Sequence, residues 1–148
     1  MASFKYTFQK IVDLKGSEKT QAEWVLSDAI AILRAEEEQL NQFIAQQKEW
    51  EHKLAQAVSE SVSLVEIVTI NQYIEYCTEN IKLKRQHILK AEQNVNVKRQ
   101  DLANKMKDEK VWHKAKERAF HKFSYDMQIK EQNELDEMAS IRFMSPTP

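Results

Sequence analysis

Hydrophobic residues recur at alternating steps of three and four along two long stretches of the chain, which is the pattern of a coiled-coil seam. The first seam is interrupted by polar residues and consists of Ile30, Leu33, Glu37, Leu40, Ile44, Gln47, Glu51, Leu54 and Val58. The second is more regular and consists of Ile67, Ile70, Ile74, Cys77, Ile81, Lys84, Ile88, Ala91, Val95, Lys98 and Leu102. The pattern predicts two long coiled-coil helices.

The segment between the two seams predicts a hairpin turn near Ser59 to Ser63. Ser63 is followed three residues later by Glu66, which is the spacing of a capping box at the start of a helix. We therefore expect a first helix over about 6–57, a turn over about 58–63, a second helix over about 64–141 and a flexible tail over 142–148. The expected fold class is all-α: a single domain over 1–148, built as an antiparallel coiled-coil hairpin with a longer second helix.

Charge favours pairing of the two helices within one chain. From Glu18 to Glu79 there are 12 acidic and 4 basic residues, a net charge of −8, whereas from Lys82 to Lys122 there are 13 basic and 5 acidic residues, a net charge of +8. In an antiparallel hairpin, residue i faces roughly residue 122 minus i, so acidic positions lie beside basic ones. Each exposed pair contributes only a few tenths of a kcal/mol, so charge selects partner and orientation. We expect the free chain to be a monomer.

The predicted helices differ in length, about 80 Å against about 115 Å at 1.5 Å per residue. About 25 residues, from Arg118 onward, would therefore lack a partner within the chain. Apolar residues nevertheless continue at helical spacing through this end, at Phe120, Phe123, Met127, Leu135, Met138 and Ile141. A helix with uncovered apolar residues is marginal in water, so we expect this end either to fray or to be covered by another protein.

Composition excludes several other classes of protein. Charged residues make up 30% of the 148 residues and the mean hydropathy is −0.65, which argues against a thick globular core. The longest apolar run, Ala29 to Leu33, is far shorter than the roughly 20 residues that span a bilayer, and Lys5 and Lys10 interrupt any signal peptide. We expect a soluble, cytoplasmic protein. Cys77 lies on the second seam, which predicts a small buried hydrophobe rather than a redox site.

Catalytic and metal chemistry are not expected. His113 and His121 are eight residues apart, roughly 12 Å by helical rise, which is too far for the two to share a metal ion. No glycine-rich phosphate loop or nucleophile elbow is present. We therefore predict a protein that is not an enzyme and has no cofactor and no metal.

Two other interpretations follow from the same residues. The basic segment from Lys82 to Lys122 could bind nucleic acid, but half of its charge faces an acidic neighbour and no aromatic ladder alternates with the lysines. With a net charge of −1, we expect no nucleic-acid partner. The heptads would also suit a homodimeric scaffold or dimerisation protein.

Three stretches resemble the flagellar export protein FliJ family, the small stalk-like component of the bacterial flagellar type III export apparatus. They are the opening FKYTFQKIVDLKGSEKTQAE, the middle pair AEEEQLNQFIAQQKEW and NQYIEYCTENI, and the late EQNELDEMA. The resemblance implies an antiparallel coiled coil similar to the γ subunit of rotary ATP synthases. Its paired termini would enter the hexameric export ATPase FliI and promote ring assembly.

The resemblance also implies a second partner and a location. The middle of the hairpin would contact the cytoplasmic domain of the export-gate protein FlhA, which would place the protein at the inner face of the cell membrane as a peripheral component. An escort role for export chaperones is implied as well.

Two contact surfaces follow from this resemblance. The gate-binding residues would be Gln39, Phe43, Gln46, Trp50, Tyr73, Cys77, Asn80 and Lys84. The ATPase-binding residues would be Phe4, Phe8, Ile11, Phe120, Phe123, Leu135, Asp136 and Met138. Phe43, Trp50 and Tyr73 flank the seams, so they either form an exposed contact surface or widen a thin two-helix core. At the ATPase end, apolar anchors framed by charge are typical of a protein interface.

Overall fold

The computed structural model describes residues 3–144 and contains two helices, α1 (Gln9–Ser59) and α2 (Leu64–Met144), which pack as an antiparallel hairpin. No strand is present in that range. The helices have 51 and 81 residues, so the predicted fold class and the longer second helix are confirmed. Helix α1 starts three residues later than predicted and ends two residues later, while α2 continues three residues further, to Met144. The remainder of the predicted tail, 145–148, lies outside the described residues.

The turn between the helices is built by local hydrogen bonds. At the end of α1, the Val62 amide donates to the Ala57 carbonyl at 3.3 Å, and Ser61 takes a left-handed backbone conformation with φ of 53°. These are the features of a Schellman-type helix end, in which one left-handed residue redirects the chain. At the start of α2, the Glu66 amide donates to Ser63 Oγ at 3.4 Å, as the predicted cap requires. The turn therefore forms where the sequence places it.

Contacts divide the chain into two compact units. One unit is Gln21–Ala103, and the other combines the described residues up to Thr20 with those from Asn104 onward. The core of the first unit is formed by the α2 seam, since all eleven predicted positions from Ile67 to Leu102 are buried or half-buried. Cys77 is only 2% exposed, as expected for a small core residue. Long-range packing in this unit follows the predicted antiparallel register, as in the Glu36–Lys84 ion pair.

The predicted seam of α1 is wrong at three positions. Glu37, Glu51 and Val58 are exposed, and in each case the preceding residue faces α2 instead. Ala57 is 8% exposed and Val58 is 60% exposed, which illustrates the shift. Because neighbouring residues on a helix point about 100° apart, an offset of one residue moves a side chain from the core to its edge.

In the second unit, a short non-helical segment before α1 lies against α2. The ring of Phe4 contacts those of Phe120 and Phe123, with centroids 5.3 Å apart in both pairs, and Phe8 lies 6.1 Å from Trp112. The prediction that the second helix lacks a partner from Arg118 onward is therefore wrong for Phe120 and Phe123. The uncovered stretch is shorter: every residue from 128 to 144 is exposed.

Ion pairs also join the two helices in this unit, and they run in both directions. Lys15 Nζ on α1 is 2.8 Å from Asp108 Oδ2, and Lys19 Nζ is 3.2 Å from Glu109 Oε1. Conversely, Lys105 Nζ on α2 is 3.6 Å from Glu18 Oε2 on α1. The hydrogen bond to the Asp108 carboxylate raises the pKa of Lys15. Opposite charges thus face each other in this unit as well, although α1 is mainly acidic further along the chain.

Among residues 3–144, neither helix is both long and apolar enough to cross a membrane.

Candidate functional site

Four aromatic rings form a cluster on one side of the first unit, which we call the aromatic face: Phe43, Trp50, Tyr73 and Tyr76. Trp50 stacks on Tyr73 with centroids 4.6 Å apart and planes inclined by 3°, and Phe43 meets Tyr76 edge-on at 6.3 Å. Phe43 and Trp50 lie on the same side of α1 because they are separated by seven residues, or about two helical turns. The face joins both arms of the hairpin close to the turn.

The tyrosines of the aromatic face remain accessible, since Tyr73 is 49% and Tyr76 is 58% exposed. Trp50 is half-buried, and the Lys53 ammonium lies 4.4 Å above the centre of its ring, in a cation–π contact. Large aromatic surfaces that remain exposed beside charged groups are typical of protein interfaces. The arrangement therefore suits binding to another protein.

The other predicted gate-binding residues are placed in three different ways. Gln39 and Gln46 are exposed at helical spacing from Phe43 on α1. Asn80 is half-buried, and its side-chain amide donates to the Tyr76 carbonyl at 2.9 Å. Cys77 is buried, so it supports the aromatic face from beneath rather than presenting its thiol to a partner.

Lys84 is engaged with α1 in a half-buried charge cluster. Its ammonium donates to Glu36 Oε2 at 2.9 Å, and His87 Nδ1 lies 3.6 Å from the same oxygen. The hydrogen bond from Lys84 lowers the pKa of Glu36, and the nearby imidazole acts in the same direction. The cluster joins the two helices beside the aromatic face.

Tyr76 is the main residue of this surface that sequence reasoning missed. It follows Tyr73 by three residues and therefore lies on a neighbouring part of the same helical side. That spacing is visible in the sequence, but the family resemblance points to the adjacent Cys77, which lies on the seam.

The predicted ATPase-binding residues fall into two groups, which the structure does not bring into one contact. Phe4, Phe120 and Phe123 pack together, while Phe8 is exposed at its edge and packs on Trp112. Ile11 is half-buried at the start of α1. Trp112 completes this aromatic cluster and was not predicted.

The second group lies on the final, uncovered part of α2. Leu135 and Met138 are 60% and 56% exposed, and with Ala139, Arg142 and Phe143 they line a shallow hollow of about 550 Å³. Asp136 is exposed and accepts a hydrogen bond from the Gln132 side chain at 3.2 Å. This end of the helix combines apolar side chains with carboxylates, as an unoccupied protein-binding surface does.

Within residues 3–144, no group of three or more histidine, cysteine or acidic residues is arranged to hold a metal ion.

Comparison with known proteins gives a family and a fold. The family model described as "Flagellar FliJ protein" matches residues 4–147. No curated protein matches the chain. Among solved structures, that of CT670, a YscO homolog from Chlamydia trachomatis, is similar with a TM-score of 0.72 and 17% identity, covering 95% of this chain and 96% of that one. At this identity the likeness shows a shared fold.

Proposed function

This chain belongs to the flagellar FliJ family of export-associated coiled-coil proteins, and we propose that it is the central-stalk protein of a flagellar type III export apparatus. In this role it binds the hexameric export ATPase FliI through the paired ends of the hairpin and promotes assembly and activity of the ring. It docks through the aromatic face on the cytoplasmic domain of the gate protein FlhA, at the inner face of the cell membrane. It is not an enzyme, and it also escorts export chaperones.

The observation that carries the ATPase part of this proposal is the uncovered end of α2. Every side chain from residue 128 to 144 is exposed, although Leu135 and Met138 are apolar and line a hollow. A helix of this length has little stability of its own in water, and burial of its apolar side supplies the missing stabilisation. A ring of subunits surrounding this end would provide that burial.

Charge indicates which kind of surface the ring would offer. This stretch has a net negative charge, since it contains Glu131, Glu134, Asp136 and Glu137 against Lys130 and Arg142. A pore lined by apolar and basic side chains would complement it.

The gate-docking part rests on the aromatic face and its neighbours. Tyr73 and Tyr76 expose ring surface that α1 does not cover, and Gln39 and Gln46 add accessible amides beside it. Such a combination of aromatic anchors and adaptable polar groups is common in contact surfaces between proteins.

Removal of residues 128–148 tests the ATPase part directly. We expect the shortened chain to keep the helicity of the remaining hairpin, because none of the described residues removed is buried, and to lose the stimulation of FliI hydrolysis and hexamer formation. The double variant Leu135→Ser, Met138→Ser should show the same loss in the full chain. The matched control is Gln128→Ser, Lys130→Ser, which changes two exposed polar positions of the same stretch.

Full stimulation by a folded double variant would contradict the proposed ATPase contact. Sedimentation of the free chain separates the proposal from a homodimeric scaffold, since the monomer has a mass of 17.5 kDa.

A further inference from the structure

A second hollow lies on the accessible side of α2 near the turn. It measures about 410 Å³ and is lined by Thr69, Gln72, Tyr73 and Tyr76. All four residues are exposed, and all four belong to α2. Within the first unit, α1 reaches this region at its edge only, where Trp50 meets Tyr73 and Phe43 meets Tyr76.

The spacing of these four residues has a specific geometric meaning. They stand at positions i, i+3, i+4 and i+7, which surround a diamond-shaped depression on the surface of a helix. In coiled coils this set of four residues is the hole that receives one side chain, the knob, from a facing helix. The neighbouring α2 core positions are Ile70, Ile74 and Cys77, whereas Tyr73 and Tyr76 meet α1 through the rings of Trp50 and Phe43. The hole therefore opens on the accessible side, beside the hairpin's own core.

We propose that this hole binds an apolar knob on an amphipathic helix of a partner protein, so that a third helix packs along α2 beside the turn. For the identity of that partner the inference rests on the proposed docking of the FlhA cytoplasmic domain. It adds Thr69, Gln72 and Tyr76 to the contact surface and specifies the secondary structure of the segment that binds there.

Further apolar residues extend the surface in the direction of the helix axis. Val65, Val68 and Leu83 are exposed large apolar side chains on the same part of α2. With Thr69, Gln72 and Tyr76 they recur mainly at steps of three and four, with Glu79 at the position between Tyr76 and Leu83; this is the period that a parallel or antiparallel helix matches along its length. From residue 65 to residue 83 the stripe extends about 27 Å by helical rise, enough for about five turns of a docked helix.

Charge on this side of α2 indicates the polar side of the bound helix. Glu75 lies beside the stripe and Glu79 lies within it, both are exposed, and neither carboxylate forms an ion pair within residues 3–144. Lysine or arginine residues flanking the apolar knob would complement these carboxylates, as charged residues do at the edges of a coiled-coil seam. The expected ligand is therefore a helix with an apolar stripe and basic flanks.

A charge placed inside the hole provides the test. In Gln72→Glu a side chain of nearly the same shape gains a negative charge, which would be buried beneath the knob without a partner. We expect this variant and Tyr76→Ala, which removes one wall, to weaken binding of purified FlhA cytoplasmic domain by about tenfold, since burying an unsatisfied polar group carries a cost of this order. Gln86→Glu is the matched control, because it adds the same charge at an exposed α2 position outside the hole.

Circular dichroism of each variant shows that the hairpin is folded, and calorimetric titration measures the affinity. Loss of affinity in Gln72→Glu and Tyr76→Ala, with wild-type affinity in Gln86→Glu, supports the inference. If both hole variants bind with wild-type affinity, the hole does not receive a knob of the partner, and the proposed gate docking still stands. If the wild-type chain does not bind the FlhA cytoplasmic domain, both the gate docking and this inference are wrong.

Photo-crosslinking tests the helical form of the partner segment. With a benzophenone amino acid at position 69, 72 or 76, crosslinks on the gate domain should fall on residues spaced three or four apart in one segment. Crosslinks to consecutive residues, or to alternate residues of an extended segment, would overturn the proposed helix.

Discussion

Replacement of Phe4 by alanine removes the residue that attaches the start of the chain to α2. Its ring packs against Phe120 and Phe123, with both centroids at 5.3 Å, and it also stacks near Tyr6 at 6.3 Å. The segment is not helical, and ring contacts of Phe4 and Phe8 join it to α2. Loss of this ring should therefore release the segment and uncover Phe120 and Phe123.

The magnitude follows from burial and ring geometry. Truncation of a fully buried phenylalanine to alanine costs about 3–5 kcal/mol, and Phe4 is half-buried, so about half of that range applies. The loss of the two aromatic pairs, at about 0.5–1.5 kcal/mol each, is already part of this truncation cost. We expect a local loss of about 2 kcal/mol, or about a thirtyfold increase in opening of the segment.

Amide hydrogen exchange measures this opening residue by residue. In the Phe4→Ala variant, amide exchange should accelerate about thirtyfold around residues 116–127 of α2. We expect the attached N-terminal segment to protect these amides, so that their exchange follows its opening. Tyr125→Ala is the control, because this aromatic residue of the same helix is exposed and makes no ring contact within residues 3–144. Unchanged exchange around Phe120 in the Phe4 variant, or an equal effect in the control, would refute the reasoning.

Three further changes test the interior of the hairpin. Gly16→Ala should stabilise the chain to urea by about 0.5–1 kcal/mol, because Gly16 is in the interior of α1 and an added Cβ would meet Glu109 Oε2 at an ordinary 3.6 Å; a loss of stability would contradict this. The lowered pKa of Glu36 means that its pairing stabilises the fold above the ordinary glutamate pKa of about 4.3 and is lost as pH falls through the lower folded value. Urea unfolding from pH 7 to 3 should therefore show a smaller acid-induced loss in Glu36→Gln than in the wild type, and parallel curves would exclude this linkage. Trp50→Ala should cost about 2 kcal/mol through loss of its half-buried stack on Tyr73, whereas Trp24→Ala, at an exposed position, should be nearly neutral; equal effects in urea unfolding would count against the stack.

The α2 seam could be predicted correctly from the sequence alone. The seam is continuous, and apolar or long side chains occupy every position, so the 3–4 alternation has one interpretation. The position of the turn was equally predictable, because Ser63 and Glu66 have the spacing of a helix cap and α1 ends just before them. Local chemistry and periodicity agree at both places.

The seam of α1 is less predictable because polar residues occupy several of its positions. Between Leu33 and Leu40 the choice lay between two glutamates, and periodicity alone does not distinguish Glu36 from Glu37. Glu36 faces α2 because Lys84 lies opposite and pairs with it at 2.9 Å. That contact depends on residues 48 positions apart, which a pattern along one helix does not show.

The predicted length of the uncovered end of α2 is too great for a related reason. The sequence predicts a first helix that begins at about Tyr6, and the expected overhang is the difference in length between two straight helices. In the structure the residues before Gln9 leave the helix, and Phe4 covers Phe120 and Phe123. An extended residue advances about 3.3 Å against 1.5 Å in a helix, so a few non-helical residues reach further than the same number of helical ones.

A family resemblance transfers positions along the chain, whereas a contact surface depends on the direction of each side chain. Cys77 and Tyr76 are adjacent in sequence and about 100° apart around α2, and the structure buries the first and exposes the second. Cys77 therefore packs between the two helices, while the Tyr76 ring is accessible from outside. The same one-residue distinction separates Trp50 from Glu51 on α1. In a two-helix protein every residue is close to the surface, so recognition depends on which neighbour of each core position is large and aromatic.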